Sequence, residues 1–237
     1  MSKIRQKFLD FMYRLKAKFG VQLPNRDLYF SGLIGADVFR SYGPRVHKKE
    51  IFQWFPRVIW NGYSTKLKAR YAPHDGRPFA CDRVESIHNQ SWVGKTLRFR
   101  FTSDVGKYGW NAIWLYGVNE DGVNHEIDLI EHYGNSGDPK SETNLHWGDY
   151  EDNHNHARAV QISCGDKQRL EGTVSLDWSD PDEILILFNG TVVRKIVQKD
   201  IIATFKTSRM SIIMNAGMKY GAEQDSVAEI TVHSILE

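Results

Sequence analysis

His125 to Tyr133 reads HEIDLIEHY, with three acids, Glu126, Asp128 and Glu131, set among Ile127, Leu129 and Ile130. Side chains of a regular strand alternate faces, so Glu126 and Asp128 share one face while Ile127 and Leu129 take the other. Glu131 falls on the wrong parity. A β-bulge inserting one residue near Leu129 and Ile130 brings all three carboxylates to one face, and bulges often re-aim a side chain in this way. The short apolar runs around this stretch have the same character. Thr96 to Phe101, TLRFRF, alternates apolar and charged residues as a half-buried strand does. Ile184 to Arg194, ILILFNGTVVR, reads as a hairpin whose turn residues Asn189 and Gly190 both accept positive φ. The run Ala228 to Ile235 alternates again, and no long helical period follows residue 60. Many short strands with regular turns predict an all-β sandwich or jelly roll.

Working outward, residues 1–20 place Ile4, Phe8, Phe11, Met12, Leu15 and Phe19 at helical spacing with Lys and Arg opposite, which predicts a short amphipathic N-terminal helix. Residues 21–237 are expected to form a single domain, since no repeat or low-complexity linker divides them. The 237 residues, 41% of them hydrophobic, are enough for one sizeable core. Lys and Arg total 31 and Asp and Glu 29, so the net charge is 31 − 29 = +2. That balance argues against a nucleic-acid binder held by phosphate contacts, and the local patch of Arg45, His47, Lys48 and Lys49 reads as a solvated loop.

No run approaches the roughly 18 apolar residues of a membrane span. The N-terminal segment lacks the pattern of a secretion signal, which leaves localisation open. Cys81 and Cys164 match neither a metal-ligand spacing nor a disulfide framework and are expected to be thiols. His154 and His156, near Asp149 and Asp152, read as part of a polar loop, and no metal or other cofactor is expected. A monomer is expected.

The acid strand admits three readings on its own residues: a catalytic pair, a calcium site, or the solvated face of an edge strand. For the first, Glu126 and Glu131 across a bulge have Cα atoms about 13 Å apart at roughly 3.3 Å per residue. Side chains leaning inward close that gap toward the about 5 to 5.5 Å carboxyl separation of glycosidases that retain configuration. Three acids on one face also repel, which raises the proton affinity of at least one, as a general acid requires. Upstream, GWNAIWLYG at 109–117 puts Trp110, Ala112 and Trp114 on one face, where flat indole rings suit the faces of sugars.

Taken together these stretches resemble glycoside hydrolase family 16, the laminarinases, agarases, carrageenases and relatives. Glu126, Asp128 and Glu131 match that family's bulged E-x-D-x-x-E strand. GWNAIW resembles its G-x-W-P-A-x-W strand with Asn111 in place of the proline, and TNLHW at 143–147 resembles the strand with a histidine in the cleft. LDWSDPDEILILFNG, MSIIMNAGMKYG and AEITVHSILE are similar to three later strands in the right order, although MNAGMKYG lacks the family's paired glycines.

The resemblance covers about residues 78 to 237 and implies a concanavalin-like β-jelly-roll sandwich of two antiparallel sheets with a concave substrate cleft. It implies a retaining endo-glycoside hydrolase acting on a β-linked polysaccharide, of β-1,3-glucan or galactan type, by double displacement. Glu126 would be the nucleophile, Glu131 the acid/base, and Asp128 would tune their protonation. His146 would lie near the scissile bond. Trp110, Trp114 and Asn215 would line the cleft, joined by Arg83 and Glu85 from the strand resembling the family's S-G-R-V-x-S. The family usually acts outside the cell. Two alternatives share the scaffold: a non-catalytic, lectin-like carbohydrate-binding module, and a transglycosylase.

Overall fold

The computed structural model describes residues 39–41, 52–55, 59–60, 64–74, 77–86, 89–148, 155–162, 167–219 and 221–236. The N-terminal helix expected at 1–20, the basic patch at 45–49, Cys164 and His154 lie outside the described residues, as does the side chain of His156.

Fifteen strands in the described residues form two packed layers. The first layer runs β10 (Asn155–Ile162), β9 (Lys140–Gly148), β8 (Asn124–Tyr133), β7 (Gly109–Val118), β14 (Ser211–Met218) and β5 (Arg77–Ser86). The second runs β4 (Thr65–His74), β15 (Ala228–Leu236), β6 (Lys95–Val105), β11 (Arg169–Trp178), β12 (Ile184–Phe188) and β13 (Thr191–Ile196). Three short strands add edges: β1 (Phe39–Ser41) and β2 (Phe52–Phe55) pair with β5, and β3 (Ile59–Trp60) pairs with β4.

This is the all-β sandwich expected, with two differences from a pair of separate antiparallel sheets. β5 belongs to both layers: its Phe79 to Cys81 pair with β4, and its Arg83 to Glu85 pair with β14. The ladder therefore continues from one layer into the other. β2 runs parallel to β5, whereas the other pairings are antiparallel.

Alternation fills the space between the layers. In β6, Leu97, Phe99 and Phe101 are buried while Arg98 and Arg100 are exposed. They meet Ile113, Leu115, Ile127 and Leu145 from the first layer in one apolar cluster. Each large side chain buried this way contributes about 1.5 to 3 kcal/mol. In β15 the register shifts between Val232 and Ser234, so Val232 and Ile235, three residues apart, are both buried. The β12–β13 turn has Asn189 at φ 50 and Gly190 at φ 80, the double positive φ of a tight hairpin. A short helix, α1 (Lys199–Lys206), was not visible as a long period in the sequence; it buries Ile202 and Phe205 three residues apart. No helix among the described residues is long and apolar enough to cross a membrane.

The layers are also tied by polar contacts. Asn111 of β7 donates through Nδ2 to Ser103 Oγ at 2.8 Å and to the Glu229 carbonyl at 2.8 Å, both on the second layer. Ser103 Oγ lies 2.8 Å from Nδ1 of His132 on β8, and His132 Nε2 lies 3.2 Å from the Lys167 carbonyl. The carbonyl can only accept, so Nε2 carries the proton and Nδ1 accepts from the Ser103 hydroxyl.

Candidate active site

The bulge lies where parity demands it. Along β7, Ile113 pairs with Ile130 but Trp114 pairs with Asp128, which leaves Leu129 as the extra residue. Along β9, Asp128 pairs with Asn144 and Glu131 with Glu142, so Thr143 alone faces Leu129 and Ile130. Both bulged residues are buried in the core. The parity of the strand is thereby reset, and Glu126, Asp128, Glu131 and Tyr133 project from the outer face of the first layer.

Partners across an antiparallel ladder share a face, which fixes the surroundings. Tyr116, Trp114, Ala112 and Trp110 of β7 stand opposite Glu126, Asp128, Glu131 and Tyr133 in turn. His146, Asn144 and Glu142 of β9 flank Glu126, Asp128 and Glu131 on the other side. Beyond β7, Asn215 of β14 pairs with Ala112, and Arg83 and Glu85 of β5 pair with Asn215 and Ile213. All nine residues singled out in the sequence thus sit on one face of five neighbouring strands.

Glu131 is held firmly. Trp110 Nε1 donates to its Oε1 at 3.1 Å and Asn144 Nδ2 to its Oε2 at 2.7 Å, and Tyr133 hydrogen-bonds to it as well. Glu131 is only 8% exposed, so a rotation would strand a buried carboxyl without donors. The small Ala112 opposite leaves the space that Trp110 and Asn144 fill around it. Glu126 is half-buried, and it, Asp128 and His146 place one ligand atom each within 4.8 Å of one another. Among the described residues this is the group that has the donors for a metal ion.

Asp128 is the most buried of the three acids of β8, at 3% exposure, and its Oδ2 has no hydrogen-bond partner; His146 Nε2 is 3.4 Å away. Burial first, and then the charges of Glu131, Glu126 and Glu142, push its carboxyl well above the usual carboxylate range, while Arg194 opposes them. Tyr133 responds in the same direction: burial, then Glu131, raises its phenol.

Trp114 is fixed from both sides. Its Nε1 donates to Asn215 Oδ1 at 2.8 Å, the Arg83 guanidinium lies 4.9 Å from the ring centroid, and Tyr116 meets it edge-on at 5.9 Å. Asn215 is fully buried, so it orients Trp114 and does not line the surface. Glu85 is 6% exposed and sits deep as well. Trp110, Trp114, His146 and Arg83 keep part of their surface open.

Several residues that bear on this face, from on it or from beneath it, are not singled out by the sequence alone. Asn144 lies two residues before His146, and strand parity alone would have found it. Tyr133 and Glu142 are likewise in phase, whereas nothing local points to Arg194. A separate cavity of about 680 Å³ opens on the second layer among Arg98, Thr173, Ser175, Asp177 and Asn189. It has a single carboxylate, Asp177, and so lacks a pair of acids.

No family model matches the sequence. A β-glucanase from Rhodothermus marinus is 31% identical over 74 residues, 29% of this chain and 26% of that enzyme's length. The Bacteroides ovatus mixed linkage glucan GH16, solved with a G4G4G3G product, superposes with a TM-score of 0.66 at 16% identity, covering 89% of this chain and 97% of the other. The laminarinase catalytic domain of Thermotoga maritima gives 0.64 at 15% identity over 86% and 92%. The fold is that of glycoside hydrolase family 16, the family whose strand motifs this sequence resembles.

Proposed function

We propose that the protein is a family 16 endo-glycoside hydrolase that cleaves a β-linked glucan with retention of configuration. The observation that supports it most is the reset face of β8, where Glu126 and Glu131 flank a buried Asp128. Glu126 attacks the anomeric carbon. Glu131, oriented by Trp110 and Asn144, gives its proton to the departing glycosidic oxygen. The glycosyl ester on Glu126 is then opened by water, from which Glu131 takes a proton, and the second displacement restores the β configuration. The raised proton affinity of Asp128 lessens the negative charge it places beside Glu126. Trp110 and Trp114 offer the indole surfaces on which sugar rings stack. A glucan is favoured over a galactan because the relatives named above are glucanases.

The test is incubation with laminarin, lichenan, mixed-linkage glucan, agar, porphyran, carrageenan and hyaluronan, with detection of new reducing ends. Oligosaccharides released as β-anomers, read by proton NMR in the first minutes, support the reading. Binding without release assigns the face to a carbohydrate-binding module, and longer products without net reducing ends assign it to transglycosylation.

A further inference from the structure

Arginine is among the residues least often buried, because its charge must be paired or its donors satisfied. Arg194 is 8% exposed, and it faces inward from β13, where its strand partner is the buried Ile186. Its Nη1 crosses to the first layer and donates to the Thr143 carbonyl at 2.7 Å. Thr143 is fully buried and is the β9 residue that faces the two bulged residues of β8. Its Oγ1 donates to the Asp128 carbonyl at 2.6 Å. A continuous path of side-chain bonds therefore runs from the edge of the second layer, through the core, to the backbone at the start of the bulge.

We infer that Arg194 and Thr143 brace the β8 bulge from beneath, and that Arg194 is a positioning residue for the reaction carried out on the opposite face. A bulge is a local interruption of pairing, and the carbonyl at its start needs a donor from elsewhere. Thr143 supplies that donor, and Arg194 fixes the peptide that carries Thr143. The spacing of Glu126 and Glu131 depends on the bulge, and so on the brace. Packing alone gives no reason for a guanidinium here, since burying a charge carries a desolvation cost that an apolar side chain of similar volume avoids. This inference rests on Glu126 and Glu131 being the reacting pair.

Arg194→Met, Arg194→Lys, Thr143→Val and the Met/Val double variant test it, with kcat and KM on the polysaccharide that the wild type cleaves best. Thermal midpoints and amide hydrogen exchange over residues 126–133 are measured alongside. Arg194→Met and Thr143→Val are expected to lower kcat by about tenfold to a hundredfold, the cost of a small misplacement, with KM within about twofold. The double variant should be no worse than the poorer single one, because both changes break one path. Arg194→Lys, which keeps the charge and a donor, should recover part of the loss, and exchange around the bulge should quicken while β6 stays protected. Folded Arg194→Met and Thr143→Val proteins with wild-type kcat overturn the brace, as does a Lys variant no better than Met. Where Arg194→Met does not fold, Thr143→Val, which changes one hydroxyl for a methyl, decides alone. A wild type inactive on every polysaccharide sinks the functional reading, and the exchange measurement then still decides the brace.

Discussion

Trp110 and Glu131 are coupled on the outer face of the first layer, indole Nε1 to carboxyl Oε1 at 3.1 Å. Gly217 makes the ring position possible: a Cβ added there would lie 2.9 Å from Trp110 Cε3. Gly217→Ala is therefore expected to displace the indole and loosen Glu131, lowering kcat by about tenfold, the equivalent of one hydrogen bond to a charged group. Trp110→Phe, which keeps a ring but removes the donor, should lose a similar factor. A fully active Gly217→Ala enzyme would show that the bond has no part in turnover.

Glu126→Gln and Glu131→Gln should each lose at least about a hundredfold in kcat. Azide should restore turnover of Glu131→Ala on substrates with a good leaving group and give the β-glycosyl azide, since the covalent step on Glu126 is intact. An α-azide from that variant would exchange the two roles.

For Asp128 the folded state holds its proton more tightly than the unfolded chain does. Stability from that difference is complete below the ordinary carboxylate value of 3.8 and is lost as pH rises through the folded value. Asp128→Asn removes the dependence. Its Tm should gain on the wild type as pH rises from 4 to 8, as calorimetry across that range will measure. Parallel Tm curves would contradict a neutral Asp128.

His132 works in the opposite sense. Burial lowers its pKa from 6.5 to about 4, and the neutral ring accepts from Ser103. The unfolded chain takes up a proton that the folded chain refuses, so stability is present above 6.5 and falls as pH drops toward 4. The whole effect is at most about 3 kcal/mol. Urea unfolding at pH 7, 6, 5 and 4 measures the slope, and His132→Gln should flatten it.

What the sequence revealed and what it hid divide along range of interaction. Alternation is local, so HEIDLIEHY, TLRFRF and the Asn189–Gly190 turn could be read directly, and the parity conflict at Glu131 pointed to a bulge. Asn215 illustrates the limit: its strand placed it on the right face, but only the structure shows it buried beneath Trp114. The passage of β5 between layers depends on which strand meets which, and no residue of PFACDRVES announces it. Arg194 reaches a residue 51 positions away, and its sequence neighbours Val193 and Lys195 describe an ordinary hairpin.

Asn111 occupies the position where the resembling motif has proline, and proline has no amide to donate. Apolar contact between two layers is non-directional and by itself does not fix their registration away from β5, where the ladder joins them. The bonds from Asn111 to Ser103 and from Ser103 to His132, with that from Asn111 to the Glu229 carbonyl, act as a dowel through both layers. They fix lateral registration beneath the strand ends that carry Trp110 and Tyr133. A chain drawn along the outer face would load the sandwich in shear, and this pin would share that load with the β5 ladder and the Arg194–Thr143 bond.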